Sequence, residues 1–232
     1  MLARRLFTNL LVFLFCLPGL ASAGLLDAIS GKDASGGLKQ ALEQGAGQAV
    51  STLGVTDGFQ GNPRFRIPLP KAVERLEPAL RMMGQGEALD ELKLTMNRAA
   101  EMAVSEAKPL LVSAVRQMTI QDAKDILTGG DDSVTRYFRS KTEEPLTQKF
   151  LPVVTRATER VKLAERYNRL AKQGMAFGLV KQEDARIEEF VTRHALDALY
   201  TRIAEEERAI RENPAQAIGS LARKVFGALG GE

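Results

Sequence analysis

Residues 87–108 read EALDELKLTMNRAAEMAVSEAK, and the spacing of their apolar positions decides the fold class. Leu89, Leu92, Met96, Ala99 and Ala103 recur at i, i+3, i+7, i+10 and i+14. That spacing lays one stripe along a helix and cannot be written onto a strand, whose faces alternate every second residue. Downstream, Leu110, Leu111, Ala114, Val115 and Met118 carry the pattern past Pro109, where the helix either kinks or restarts. Thr119 and Asp122 have the spacing of a capping box, Asp replacing the usual Glu, for a short helix through Ile126 and Leu127. Gly129 and Gly130 then stop it, with Gly129 as a left-handed cap. The next helix opens near residues 131–133 and turns Val134, Tyr137 and Phe138 inward. Pro145 and Pro152 divide the stretch beyond it into helical pieces, the last running to a cap at Gly174.

After a loop at residues 175–181, a long helix is expected over residues 183–211. Ile187, Phe190 and Val191 form its first stripe, and Leu196, Leu199, Ile203 and Ile210 a second, rotated one. A terminal helix comes after Pro214. Upstream, a first helix over residues 38–53 contains Gly45 and Gly47, each about 1 kcal/mol less favourable there than Ala. Residues 54–70, GVTDGFQGNPRFRIPLP, carry three prolines and three glycines and read as an extended loop. The expectation is an all-α fold, a single multi-helix domain over residues 38–229 with one long Pro/Gly-rich loop near its N-terminus.

The first 23 residues have two arginines, an apolar core and Ala21-Ser22-Ala23, the order of a secretory signal peptide cleaved after Ala23. Residues 24–37 read as a flexible leader. Cleavage would remove the only cysteine, Cys16, and with it any thiolate nucleophile or ligand. It would also leave 30 basic against 29 acidic residues, too even a balance to attract nucleic acid. No later segment is apolar and long enough to span a bilayer. The expectation is an exported, periplasmic product in the cell envelope with no transmembrane segment in its mature chain.

Several segments together resemble a known family. DGFQGNPRFRIPLP, LTMNRAAEMAV, EAKPLLVSAVRQMTIQDAKDILTGGDD, TRYFRSKT and KFLPVV, in this order, are similar to the exported bacterial family known as domain of unknown function 4197. The resemblance covers residues 38–227. It implies an exported helical domain and no particular activity.

Individual motifs point to structure more than to chemistry. Gly-Gly-Asp-Asp at residues 129–132 lies between helices, so Asp131 or Asp132 caps the following helix. Two carboxylates fall short of the six to eight oxygens calcium takes, and no metal or other cofactor is expected. Arg136 and Arg139 share a helix face and could fork an anion, or pair with Asp132 and Glu143 four residues away. Asn97 and Arg98 border the first stripe, where an asparagine signals a specific hydrogen bond. With Tyr137, these residues (Asn97, Arg98, Asp131, Asp132, Arg136, Tyr137, Arg139) are the candidate ligand-binding set. His194, the sole histidine, reads as core or interface, and residues 205–207 as a solvated acidic run. No catalytic residue is assigned, because P-loop, dinucleotide, nucleophile-elbow and zincin patterns are absent from the sequence. The preferred reading is a non-enzymatic domain that binds an unknown protein or small-molecule ligand. A carboxylate-based hydrolase acting on envelope material, using a pair such as Asp131 and Asp132, is the alternative, and a surface-bound amphipathic helix over residues 217–229 a third.

Overall fold

The computed structural model of the protein describes residues 31–176 and 180–213. Within them the chain is all-α, in one domain. The helices are α1 (Gly31–Leu53), α2 (Lys71–Met82), α3 (Gly86–Ser105), α4 (Lys108–Gln117), α5 (Ile120–Leu127), α6 (Ser133–Thr158), α7 (Lys162–Ala176) and α8 (Ile187–Glu212), with a single 3-10 turn at Gln182–Asp184. The long helices α3, α6 and α8 pack against one another at the centre, and α1 lies across α8, α4 and α5. Leu89, Leu92, Met96, Ala99 and Ala103 are all fully buried between them. The expected signal peptide, residues 24–30 of the expected leader, residues 177–179 of the expected loop and the expected helix after Pro214 lie outside the described residues.

Several boundaries differ from the sequence expectation for physical reasons. Residues 31–37, expected in the leader, are the first turns of α1, because Gly37 and Leu38 are already buried and tertiary contact carries the helix through the glycines. Pro109 starts a new helix rather than kinking the old one, since it sits in the first turn of α4, where a missing N–H removes no hydrogen bond. Pro145 and Pro152 do not divide α6. Leu146, Phe150 and Val154 on the same helix are fully buried, and that burial outweighs the roughly 3 kcal/mol an interior proline costs. Gly174 does not cap: α7 runs through it to Ala176, and the break falls instead at residues 159–161. Helix α2, with Pro78 inside it, has no counterpart among the helices expected from the sequence.

Gly47 in α1 has open space where a Cβ would be. Gly47→Ala should therefore stabilise the protein by about 0.5–1 kcal/mol, from helix propensity alone. A thermal melt showing no rise would mean that α1 is strained at this turn.

Candidate functional site

All of the expected binding residues but Asp131 have a polar partner; Asp131 is exposed in the turn before α6 with none among the described residues, and it caps no helix. Asn97, fully buried on α3, clamps the 54–70 loop: its Oδ1 accepts from Ile67 N at 2.8 Å, and its Nδ2 donates to Ile67 O at 3.2 Å and Lys93 O at 2.8 Å. One turn on, buried Glu101 accepts from the amides of Phe59 and Gln60, both at 3.0 Å. Arg98 bridges Glu101 and Asp57, each at 2.8 Å. Asp57 has φ 67, the left-handed conformation that Asp tolerates better than most residues. The loop is thus a strap, with Phe59, Ile67 and Leu69 buried beneath it.

The Gly-Gly-Asp-Asp turn is built differently from the expectation. The capping box at its head is present: Thr119 Oγ1 accepts from Asp122 N at 3.0 Å, and Asp122 accepts in return from Thr119 N at 2.9 Å. The bond from Thr119 N foremost, and a second that Thr119 Oγ1 donates to the same carboxylate at 2.7 Å, hold the Asp122 carboxyl below its usual pKa. Gly129, however, is not left-handed. Glycine is needed there because a Cβ would stand 2.6 Å from the Ser133 Cβ and 2.7 Å from the Asp125 carbonyl oxygen. Asp132 occupies the N-cap position of α6 but makes no side-chain capping bond, and pairs with Arg136 instead.

The cap comes from α8. Glu207 accepts from Val134 N at 3.1 Å and from Thr135 N at 3.2 Å, while Arg211 holds the same carboxylate at 3.0 Å and Ser133 Oγ at 2.8 Å. Glu207 is buried, so the acidic run at residues 205–207 is not the solvated face its sequence suggests. The N-terminus of α8 is finished the same way: Asn168 Oδ1 accepts from Ile187 N at 2.8 Å, and its Nδ2 donates to buried Glu188. Tyr137, buried, donates to Ala114 O at 2.8 Å. Arg139 lies 4.6 Å over the Tyr200 ring and pairs with Glu143 at 2.9 Å and Asp197 at 3.2 Å. The expected binding residues are spread over α3, α6 and the turn before it, and among the described residues they line no shared cavity.

A concave surface lies elsewhere, between α2 and α7. Ala72, Leu76, Leu80 and Met83 line one wall at near-helical spacing, and Leu163, Tyr167 and Leu170 the other. The groove encloses about 370 Å³, within the roughly 300–1,000 Å³ range of small-molecule sites. Among the described residues it is left open because α2 sits at the edge of the fold: Val73 is its one buried residue, and Glu77–Lys93 and Arg81–Asp90 ion pairs tie it to α3. Leu76, Met83 and Leu170 are consequently 57, 73 and 67% exposed. In the adjoining cleft, which shares Ala72, Tyr167 and Val180 with the groove, His194 packs on Phe190 with ring centres 4.1 Å apart and donates from Nδ1 to Phe190 O at 2.8 Å. Burial holds its pKa below the ordinary value of 6.5, and the bond to Phe190 offsets that only in part. Burial also pushes the Tyr167 hydroxyl up to about 12, so it stays a neutral donor to Asp184 O. The 4- and 3-residue spacing of these apolar side chains is present in the sequence, but Pro78 and the charged residues of α2 mask it.

Among the described residues no group of three His, Cys, Asp or Glu side chains is arranged to hold a metal ion. No helix among them is long and apolar enough to cross a membrane. A family model described as "Protein of unknown function (DUF4197)" matches residues 28–227. No curated protein and no solved structure matches the chain.

Proposed function

Because the chain belongs to the DUF4197 family, whose description assigns no activity, we propose its function from the site alone: it is a non-enzymatic, ligand-binding domain of the cell envelope, and it binds in the groove between α2 and α7. The observation that carries this is the exposed, concave apolar surface formed by Leu76, Met83 and Leu170. Exposed apolar surface of this kind is costly in water unless something covers it. Export is supported by the amino-terminal run of residues 1–23.

The buried carboxylates and Asn97 are already employed in the fold. Glu101 and Glu207 accept backbone amides, Asn97 binds the strap, and Glu188 is bonded by Asn168. Asp132, one of the two carboxylates considered for hydrolysis, is exposed and in an ion pair with Arg136. Nothing in that arrangement favours the hydrolase alternative.

The reading is tested with Nile red, an uncharged dye that brightens in apolar surroundings. The purified protein should enhance its fluorescence saturably, and Leu76→Glu with Leu170→Glu should abolish the enhancement at unchanged melting temperature, since both side chains are largely exposed. Equal enhancement by the variant would remove the groove as the binding site.

A further inference from the structure

The apolar groove does not end at its inner wall. Ala72, Tyr167 and Val180 line it and also line a second, polar cleft of about 450 Å³, so the two form one continuous surface. In that cleft four cationic residues, Lys71, Arg75, Lys181 and Arg193, meet two acids, Glu74 and Asp184. Asp184 is already taken by Arg193 at 2.6 Å. Lys71 and Arg75 stand four residues apart on α2 and therefore side by side. Both are exposed, and neither has an ion-pair or hydrogen-bond partner among the described residues. Arg166, at the rim of the apolar half, is exposed and equally unpartnered among them.

An apolar trough that opens into a cationic cleft is complementary to one kind of molecule. Granted the groove-binding reading above, we propose that the ligand is a single-chain anionic amphiphile. Its alkyl chain lies along Leu76 and Leu80 on α2, Met83 just past the end of that helix, and Leu163 and Leu170 on α7, and its oxyanion head sits at Lys71 and Arg75. The chain removes the exposed leucines and Met83 from water, and the head replaces the hydration of two cations with charge-assisted hydrogen bonds. A bilayer surface fits less well, because adsorption to lipid uses a convex helix face, whereas this surface is recessed between two helices.

Calorimetric titration of the whole purified protein tests this, with dodecyl phosphate, dodecyl maltoside and inorganic phosphate as probes, each alkyl probe below its micelle concentration. Dodecyl phosphate should bind at least about tenfold more tightly than dodecyl maltoside, and inorganic phosphate not measurably. Lys71→Ser with Arg75→Ser should erase that preference and leave dodecyl maltoside binding unchanged. Leu76→Glu with Leu170→Glu should abolish binding of both alkyl probes. Equal affinity for the two alkyl probes, insensitive to the Lys71/Arg75 variant, would overturn the anionic assignment while leaving the groove as a binding site. Two further results would overturn the groove reading as well. One is the absence of any alkyl binding beside a dimer, seen by light scattering, that the Leu76/Leu170 variant dissociates. The other is alkyl binding that ignores that variant. Co-sedimentation with phosphatidylglycerol vesicles without binding of monomeric dodecyl phosphate would overturn the single-chain ligand in favour of a membrane surface.

Discussion

Replacing Glu207 by alanine is expected to destabilise the protein by about 3 kcal/mol or more, the cost of breaking a buried ion pair by removing one partner. For a domain of this size that is a fall in melting temperature of roughly 6–12 °C. Three losses combine. The amides of Val134 and Thr135 lose their acceptor at a helix start, where no intrahelical acceptor exists for them. The positive end of α6 loses its only buried counter-charge among the described residues. Arg211, whose side chain is 17% exposed, loses the carboxylate it holds at 3.0 Å. Asp132→Ala supplies the contrast, since Asp132 occupies the N-cap position but makes no capping bond. Its pair with Arg136 is exposed, so its loss should cost below about 1 kcal/mol. Thermal melts followed by circular dichroism decide between the two residues. A larger drop for Asp132→Ala would show that the turn is capped locally after all.

Asn97→Leu should be nearly as costly, at about 2–4 kcal/mol, but its effect should be local. Leucine keeps the branched shape of asparagine, though it is bulkier, and it leaves Ile67 N–H and C=O under the strap without partners, at about 1–3 kcal/mol for each unsatisfied group. Hydrogen exchange should accelerate at least about tenfold at Ile67, with the amides of α6 and α8 little changed. Because Leu69 and Pro70 lead from the strap into α2, and Pro68, Leu69 and Pro70 line the polar cleft, a loosened strap should also weaken binding in the groove. Exchange unchanged at Ile67, or raised equally across α6 and α8, would deny Asn97 the role of a clamp on the strap.

The features legible in the sequence are those determined within one or two helical turns. The stripe from Leu89 to Ala103 and the Thr119–Asp122 box depend on neighbours three or four residues away, and both are present. So are the Asp132–Arg136 and Arg139–Glu143 pairs that the spacing suggests. The illegible features depend on partners distant in the chain. Glu207 stands in a run of glutamates that looks solvated, and nothing nearby indicates that the start of α6 will come to meet it. Pro78, Pro145 and Pro152 each argue against a helix locally, and only the burial of other faces, or anchoring by ion pairs, overrules them. Polarity along α3 and α6 singles out the candidate binding residues. The groove is apolar and lies between α2 and α7, and α2 is the helix that the sequence conceals.

The polar side chains that finish the strap, α6 and α8 share a property that bears on how such a chain changes over time. Asn97, Glu101, Asn168 and Glu207 each accept from main-chain amides across the fold: those of Ile67, Phe59, Gln60, Ile187, Val134 and Thr135. Every residue but proline offers the same amide. The restraint is therefore one-sided. The four polar residues are held to their identity and length, while the positions they grip answer only to packing and can drift among residues of similar bulk. Substitution can accumulate at the gripped positions, and so along the strap that sets α2 and the groove in place, without loosening the joints that hold the helices together.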